Sequence, residues 1–199
     1  MNRFGRHARE PVWRTRARLI AHPVPAGVAG WLFDPGSLTR RVKEICSGRF
    51  HVEVITQGWG RPMLNEAMRL GVRENRQALI REVYLYCDET PVVYARTIIP
   101  HTTLRGRQRH LAHLGSRPLG EVLFADPDMR RDEVEVARIR PADRLFHIAT
   151  ATLAGSPEEI WGRRSVFYTG RKPLLVNEVF LPTLVAVRPG RVPSDGERQ

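Results

Sequence analysis

Lys172-Pro173-Leu174-Leu175-Val176-Asn177-Glu178-Val179-Phe180-Leu181-Pro182 is the stretch that most constrains the fold of this 199-residue chain. It reads as a β-strand, in which successive side chains point to opposite faces. Glu178 therefore shares a face with Leu174, Val176 and Phe180. An unpaired carboxylate on that face would be costly to bury, which indicates a proton, a hydrogen-bond partner or a ligand beside it. The alternative is an edge strand with Glu178 in water.

Antiparallel hairpins organise the chain around this strand. Residues 164–168 and 174–181 form one hairpin about the turn Thr169-Gly170-Arg171-Lys172, and residues 78–87 and 92–99 form another. Hairpins that alternate with helices, without a βαβ rhythm, predict an α+β fold with an antiparallel sheet. Further strands are predicted at 50–56 and 133–139, and helices at 38–46, 65–70, 102–115 and 143–154.

Three local signals set boundaries of these elements. Ser37 caps the helix that starts at Leu38. The run Gln57 to Pro62 is predicted to end the strand at 50–56, because it is rich in glycine. Ser156-Pro157-Glu158-Glu159 has the form of a capping box with proline at the first helical position, and it predicts one more helix start.

Arg81 is the second charge that interrupts an apolar strand face, which also carries Leu79, Val83 and Leu85. A buried guanidinium needs a planar anionic partner, and a carboxylate matches its donors. Spacing leaves two partners open, an internal acid such as Glu178 or the carboxylate of a ligand. Glu82 and Arg96 also interrupt apolar faces, so periodicity alone does not single out Arg81.

The charge of +11 is concentrated in part at the N-terminus, where residues 1–18 hold six arginines against Glu10 alone. Such an arm could touch nucleic acid or anionic lipid. No nucleic-acid motif follows it, so we favour a solvated extension and expect no specific nucleic-acid partner. We therefore predict a basic arm at 1–23, one domain at 24–187 and a disordered tail at 188–199.

Compartment and metal content follow from the remaining residue types. No apolar run approaches the length of a membrane helix, and the arginine-rich start lacks a secretory apolar region, so a cytoplasmic protein is expected. Cys46 and Cys87 are then expected as two reduced, partly buried thiols rather than a disulfide. His110 and His113 stand three apart on a predicted helix. We favour solvated positions over metal ligands because no third ligand lies nearby, and we expect no metal.

Several motifs together resemble one known family. Trp161-Gly162-Arg163-Arg164-Ser165, then Gly170 to Leu175 and Glu178 to Pro182, closely resemble the C-terminal signature of the chorismate–pyruvate lyases. Other family motifs occur in the same order, namely Trp31-Leu32, Ser37-Leu38-Thr39-Arg40, Leu79-Ile80-Arg81-Glu82-Val83, Ala95-Arg96-Thr97-Ile98-Ile99-Pro100 and Pro118-Leu119-Gly120. The resemblance covers about residues 25 to 183.

The resemblance implies a fold and an activity. The fold would be a single antiparallel sheet of about six strands, with helices on one side and two helical flaps over an enclosed ligand. The activity would be a carbon–oxygen elimination that converts chorismate to 4-hydroxybenzoate and pyruvate for ubiquinone synthesis, with no cofactor. We expect a monomer.

The resemblance also implies the site residues. Arg81 and the main-chain amide of Leu38 would hold the product's carboxylate, and Glu178 with a main-chain group of Leu119 would hold its hydroxyl. The side chains of both leucines are equally suited to the core. Arg96 is a candidate for the pyruvyl carboxylate or for an internal charge partner. Glu178 would transfer a proton or only position the hydroxyl, and the sequence leaves both open.

A second function class shares the implied fold. The lyase fold resembles the effector-sensing domains of some bacterial repressors, so a non-catalytic sensor of a small aromatic acid is the alternative. A winged-helix DNA-binding domain normally precedes such sensors, and the arm before Val24 is too short to form one. We therefore favour the enzyme.

Overall fold

The computed structural model describes residues 9–19, 23–73 and 75–186, which form an antiparallel sheet of eight strands. The strands are β1 (Arg14–Thr15), β2 (Phe50–Gly60), β3 (Ala78–Cys87), β4 (Thr90–Pro100), β5 (Arg130–Arg131), β6 (Glu135–Ile139), β7 (Ile160–Thr169) and β8 (Lys172–Phe180). Their order is β1-β6-β7-β8-β4-β3-β2, with β5 also paired to β7. The expectation of about six strands was wrong because β1 and β5 have two residues each, too few for a periodic pattern.

Six α-helices complete the described part of the chain: α1 (Ala26–Leu32), α2 (Leu38–Ile45), α3 (Leu64–Leu70), α4 (Leu119–Phe124), α5 (Arg144–Ala149) and α6 (Pro182–Ala186). Two 3-10 helices cover Arg16–Arg18 and Gly106–His113. None of the helices within the described ranges combines the length and apolar character needed to span a bilayer.

The sheet has two buried faces, named here by the residues that they carry. The front face carries Arg81, Thr97 and Glu178, and the back face carries Glu82, Arg96 and Asn177. Neighbours in sequence fall on opposite faces because the strand repeat is two residues. Each face therefore receives its own set of charged residues from the same strands.

Helices pack on both faces, so the expectation of helices on one side was wrong. On the front face, α1, α2, α4 and α6 bury apolar side chains, among them Trp31, Val42, Leu123 and Leu184. On the back face, Phe146 of α5 packs in one cluster with Tyr84 and Tyr94. The acid Glu66 of α3 hydrogen-bonds Arg96 there. These back-face helices have six and seven residues, and each buries few apolar groups.

Several predicted boundaries differ from the structure, among them the start of β7 at Ile160 instead of residue 164. Strand β2 continues through Gln57–Gly60, because the glycines stay paired to β3 after a bulge between Val54 and Thr56. The helix predicted over 102–115 is a 3-10 helix from Gly106 to His113, and α5 ends at Ala149 instead of residue 154. No helix begins at Ser156–Glu159. Glu159 instead accepts hydrogen bonds from Arg138 and Trp161 at the entry to β7.

Part of the predicted arm belongs to the fold. Arg14 and Thr15 pair with β6, and the Arg164 guanidinium lies 4.9 Å above the Trp13 ring. The carboxylate of Glu10 accepts hydrogen bonds from the amides of Leu64 and Asn65 at 2.8 and 2.7 Å. The interpretation of a solvated extension is therefore wrong for these residues. Residues 1–8, 20–22 and the predicted tail at 188–199 lie outside the described residues.

Cys46 and Cys87 form a disulfide, with their Cα atoms 5.6 Å apart, so the prediction of two free thiols was wrong. Phe50 explains their proximity: it lies four residues after Cys46 and is the register partner of Cys87. Pairing of β2 with β3 thus returns the end of α2 to the end of β3. A separation of 41 residues hides that contact from the sequence.

Candidate functional site

A cavity of about 50 Å³ lies between the front face and the helices α2 and α4. This is several times the space that one water molecule requires. Its walls are mainly apolar, and its two charged lining side chains are Arg81 and Glu178. Leu38 and Leu119 line it as well. The structure thus brings together the four residues that the family resemblance pointed to.

Arg81 is buried without an acid. Its side chain lies in β3, the residue is 2% exposed, and Nη2 donates to the carbonyl oxygens of Gly115 and Arg117 at 2.8 and 3.3 Å. Nε has no hydrogen-bond partner among the described residues. Burial lowers the pKa of Arg81, yet a guanidinium stays charged in a protein. The internal pair with Glu178 does not occur, and an anionic ligand would supply the missing partner.

Leu38, whose main-chain amide was the predicted anion donor, lines the cavity. Leu38 is the first residue of α2, where an N–H has no acceptor within the helix. The Ser37 hydroxyl accepts from the Arg40 amide at 3.4 Å, which confirms Ser37 as the cap and leaves the Leu38 amide free of it. An anion is favoured at such a position by the helix dipole.

Leu119 occupies the equivalent first position of α4. The next residue, Gly120, allows α4 to approach α2, because a Cβ at this position would lie 3.1 Å from Oγ1 of Thr39. Leu119 and Leu38 thus line the same cavity, each from a helix position at which the N–H has no acceptor within the helix. Both leucine side chains are buried, so each residue also serves the core.

Glu178 lies in β8 with one oxygen paired and the other available. Arg163 Nε donates to Oε2 at 2.5 Å, and Nη2 of Arg131 lies 4.0 Å from the same oxygen. Oε1 accepts no hydrogen bond from the residues that the structure describes. Arg163 is held in turn by the carbonyls of Trp31 and Asp34, at 3.0 and 2.6 Å. The free oxygen makes Glu178 an acceptor for a hydroxyl group.

Arg163 and Arg131 were not assigned a role from the sequence. Arg163 could have been found, because Thr169 pairs with Lys172 across a two-residue turn and the same register pairs Arg163 with Glu178. Arg131 gives no such signal. It belongs to the two-residue strand β5, and only the tertiary structure brings it near Glu178.

Arg96 lies on the back face, away from the cavity. It donates from Nε to Glu66 at 2.8 Å and from Nη1 to Glu82 at 2.5 Å. Burial alone would lower the pKa of Arg96, but Glu66 and Glu82 raise it. Of the two roles considered for Arg96, the structure shows an internal charge partner.

The two histidines considered as metal ligands are exposed on the 3-10 helix Gly106–His113. A ring nitrogen of His110 hydrogen-bonds the carbonyl of Arg107 at 2.6 Å. Within the described ranges, no group of three potential ligands is arranged to hold a metal ion.

Comparison with known proteins identifies clear relatives. Residues 9–188 match the family model described as chorismate lyase. A protein of Methylococcus capsulatus named "probable chorismate pyruvate-lyase" is 46% identical over 157 residues, which cover 79% of this chain and 96% of that protein. One of the same name from Aromatoleum aromaticum is 44% identical over 164 residues, covering 81% and 88%.

Solved structures share the fold at low identity. The effector domain of PhnF from Mycobacterium smegmatis superposes with a TM-score of 0.52 at 15% identity, covering 74% of this chain and 90% of that one. A GntR-family transcriptional regulator from Bacillus cereus gives 0.50 at 14% identity, covering 67% and 92%. At such identities the likeness concerns the fold alone.

Proposed function

Because the chain belongs to the chorismate lyase family, we propose that it eliminates pyruvate from chorismate and releases 4-hydroxybenzoate. The observation that carries the proposal is the polarity of the cavity. A buried guanidinium without an acid lies in one part of its wall, and a carboxylate with a free oxygen lies in another. A ring with a carboxylate and a hydroxyl at opposite positions has the complementary groups.

Each polar group of the product then has two protein partners. The ring carboxylate binds Arg81 and the amide of Leu38, which together offer charge and a helix-terminal donor. The ring hydroxyl donates to Oε1 of Glu178 and accepts from the amide of Leu119. The apolar wall, including Phe167 and Leu123, packs against the ring.

The chemistry needs orientation more than it needs a strong acid or base. The ring carbon that bears the hydroxyl loses its hydrogen, the neighbouring C–O bond to the enolpyruvyl group breaks, and a ring double bond forms. The hydrogen ends on the methyl group of pyruvate, so all atoms and electrons balance without a redox partner. Aromatisation drives the reaction, and the site lowers the barrier by holding the substrate in one geometry.

Glu178 acts in this scheme as a positioning group. Its Oε2 is already engaged by Arg163, which leaves Oε1 to orient the hydroxyl-bearing carbon. Production of 4-hydroxybenzoate for ubiquinone synthesis by a cytoplasmic monomer belongs to the same proposal and rests on the family likeness. Light scattering on a sizing column tests the monomer.

The direct test is to incubate purified protein with chorismate and to follow 4-hydroxybenzoate by absorbance and pyruvate by a coupled assay. We expect the two products in equal amounts. A wild-type protein that binds 4-hydroxybenzoate but never releases pyruvate would contradict the proposal and leave the sensor function.

Glu178→Gln tests the role of the carboxylate in the same assay. If Glu178 only positions the hydroxyl, turnover should fall by about tenfold, and product affinity should change with it. If Glu178 transfers a proton in the transition state, turnover should fall by about 10²–10⁴-fold while the product still binds.

A further inference from the structure

The region around Glu178 carries one more positive charge than negative charge. Arg163 and Arg131 both approach Oε2 of Glu178, at 2.5 and 4.0 Å. The other acid that acts on Arg131 is Asp34, and it already forms an ion pair with Arg41 at 2.8 Å. Three guanidinium groups thus face two carboxylates. The surplus charge belongs to Arg131, because Arg163 and Arg41 each have an acid at hydrogen-bond distance.

Arg131 has neutral hydrogen-bond partners. Nε donates to the hydroxyl of Ser165 at 3.0 Å, and Nη1 donates to the carbonyl of Pro35 at 3.1 Å. Nη2, the atom nearest Glu178, makes no hydrogen bond to the described residues. The side chain is 12% exposed, so water screens its charge poorly. Burial and Arg163 both lower the pKa of Arg131, and a further anion beside it would be stabilised.

The position of Arg131 relates it to one part of the substrate. Its guanidinium lies 5.2 Å from the centre of the Phe167 ring, and both Phe167 and Glu178 line the cavity. Arg131 is the cross-strand partner of Phe167, so it lies on the front face at the edge of the cavity, beside the residues that would hold the hydroxyl. In chorismate the enolpyruvyl ether is attached to the ring carbon next to the one that bears this hydroxyl. The ether's carboxylate would therefore lie at the same end of the cavity.

We propose that Arg131 binds the carboxylate of the enolpyruvyl group during turnover, an inference that rests on the proposed function. The site then has two cations without a full acid partner, Arg81 and Arg131, and the substrate has two carboxylates. The product keeps only the carboxylate at Arg81. Arg131 is thus a specificity-determining residue, because its contact distinguishes the substrate from the product.

The same contact assists bond cleavage. The electron pair of the breaking C–O bond moves onto the enolpyruvyl group, which becomes pyruvate when the hydrogen reaches its methylene carbon. A fixed cation beside that group stabilises the developing negative charge in a site with little water. Separation of pyruvate from the ring then leaves Arg131 with no ligand carboxylate.

The test compares two ligands in Arg131→Met, which keeps an unbranched apolar chain in place of the arginine stem and removes the charge. One ligand is 4-hydroxybenzoate, and the other is 3-(carboxymethoxy)-4-hydroxybenzoate, which carries a second carboxylate on an ether next to the hydroxyl. In calorimetry we expect 4-hydroxybenzoate affinity to stay within about twofold and affinity for the second ligand to fall by about tenfold or more. The kcat/KM for chorismate should fall by about a hundredfold.

Two further variants make the result specific. Arg131→Lys keeps the charge and should recover part of the lost affinity for the second ligand. Arg130→Met removes the exposed neighbouring arginine of β5 and should leave both affinities unchanged.

Two outcomes remain distinct. If Arg131 only holds Glu178 in position, then Arg131→Met and Arg131→Lys will weaken the binding of both ligands equally. That result would overturn the assignment of Arg131. If the wild-type protein releases no pyruvate from chorismate, the proposed function itself fails. Unfolding curves for each variant show whether a change in affinity reflects loss of the fold. If Arg131→Met is unstable, the affinities of Arg131→Lys for the two ligands provide the test.

Discussion

Arg81 on the front face of the sheet and Arg96 on the back face are both buried, and their surroundings are opposite. Arg96 on the back face donates to the carboxylates of Glu66 and Glu82. Arg81 on the front face donates to two carbonyl oxygens, and no acid lies within ion-pair distance among the described residues. Arg96 therefore has carboxylate partners within the protein, whereas Arg81 has none among the described residues. Of the two, only Arg81 has a positive charge that a ligand carboxylate can pair with.

This difference explains why spacing could not separate the two residues. Both interrupt apolar strands, and both are nearly inaccessible, at 2% for Arg81 and 7% for Arg96. What separates them is the helix that covers each face. On the back face α3 supplies Glu66, whereas on the front face α2 and α4 supply no acid to Arg81 and line the cavity with mainly apolar residues. Stability and binding are thus distributed between the faces.

The largest effect on stability should come from removing the Arg96 ion pairs of the back face. Arg96→Ala leaves Glu66 and Glu82 buried without their cation, which costs about 3–5 kcal/mol of unfolding free energy. Urea unfolding measures the loss. The fraction that remains folded should bind 4-hydroxybenzoate with nearly wild-type affinity, because the cavity lies on the other face. Weakened binding at unchanged stability would contradict this division.

The second effect, on ligand affinity, should come from removing Arg81 on the front face. Arg81→Ala should weaken 4-hydroxybenzoate binding by about 2–5 kcal/mol, the cost of stripping the ligand carboxylate of its partner. Stability without ligand should change much less than in Arg96→Ala, because no internal carboxylate loses a partner. Titration calorimetry gives the affinity, and unchanged affinity in a folded variant would refute the assignment of Arg81.

A smaller effect concerns the pH dependence of the back face. The Tyr94 hydroxyl donates to Glu82 at 2.9 Å, and burial together with Glu82 raises the pKa of Tyr94 well above its usual value. Burial raises the pKa of Tyr86 to about 12. An unfolded tyrosine ionises near pH 10, so this contribution is present below about pH 10 and is lost as pH rises towards the folded values. In a series of unfolding free energies measured from pH 8 upwards, the fall due to these tyrosines should begin near pH 10 and be less steep in Tyr94→Phe.

The smallest effect tests the N-terminal segment, which also supports the back face. Glu10 accepts from the first two amides of α3, and α3 carries Glu66. Glu10→Ala should cost about 1 kcal/mol of unfolding free energy, as loss of a helix cap does. Glu10→Gln keeps one acceptor oxygen and should lose less. An unchanged unfolding midpoint in Glu10→Ala would show that the segment contributes no cap.

The elements of this fold that have a periodic residue pattern could be predicted from the sequence. Six strands of at least five residues and the hairpin of β7 and β8 follow from periodicity and turn chemistry, and the cavity residues follow from the family motifs. The two-residue strands, the position of α3 and α5 on the back face and the disulfide did not follow, because each depends on contacts between distant segments. Arg131 belongs to this second group, since β5 is too short to indicate a face.

The turn between β7 and β8 has a consequence for how this site is inherited. Gly170 and Arg171 both adopt left-handed backbone angles, with φ of 53° and 64°, and they form a two-residue connection. Glu178 lies six residues beyond the turn's end, about 20 Å along the strand. Insertion of one codon in the turn would slip the register and exchange Glu178 for Asn177 in the cavity. The length of this surface turn therefore matters to the site as much as the carboxylate does. In related sequences the residue types of the turn can vary more freely than the number of its residues.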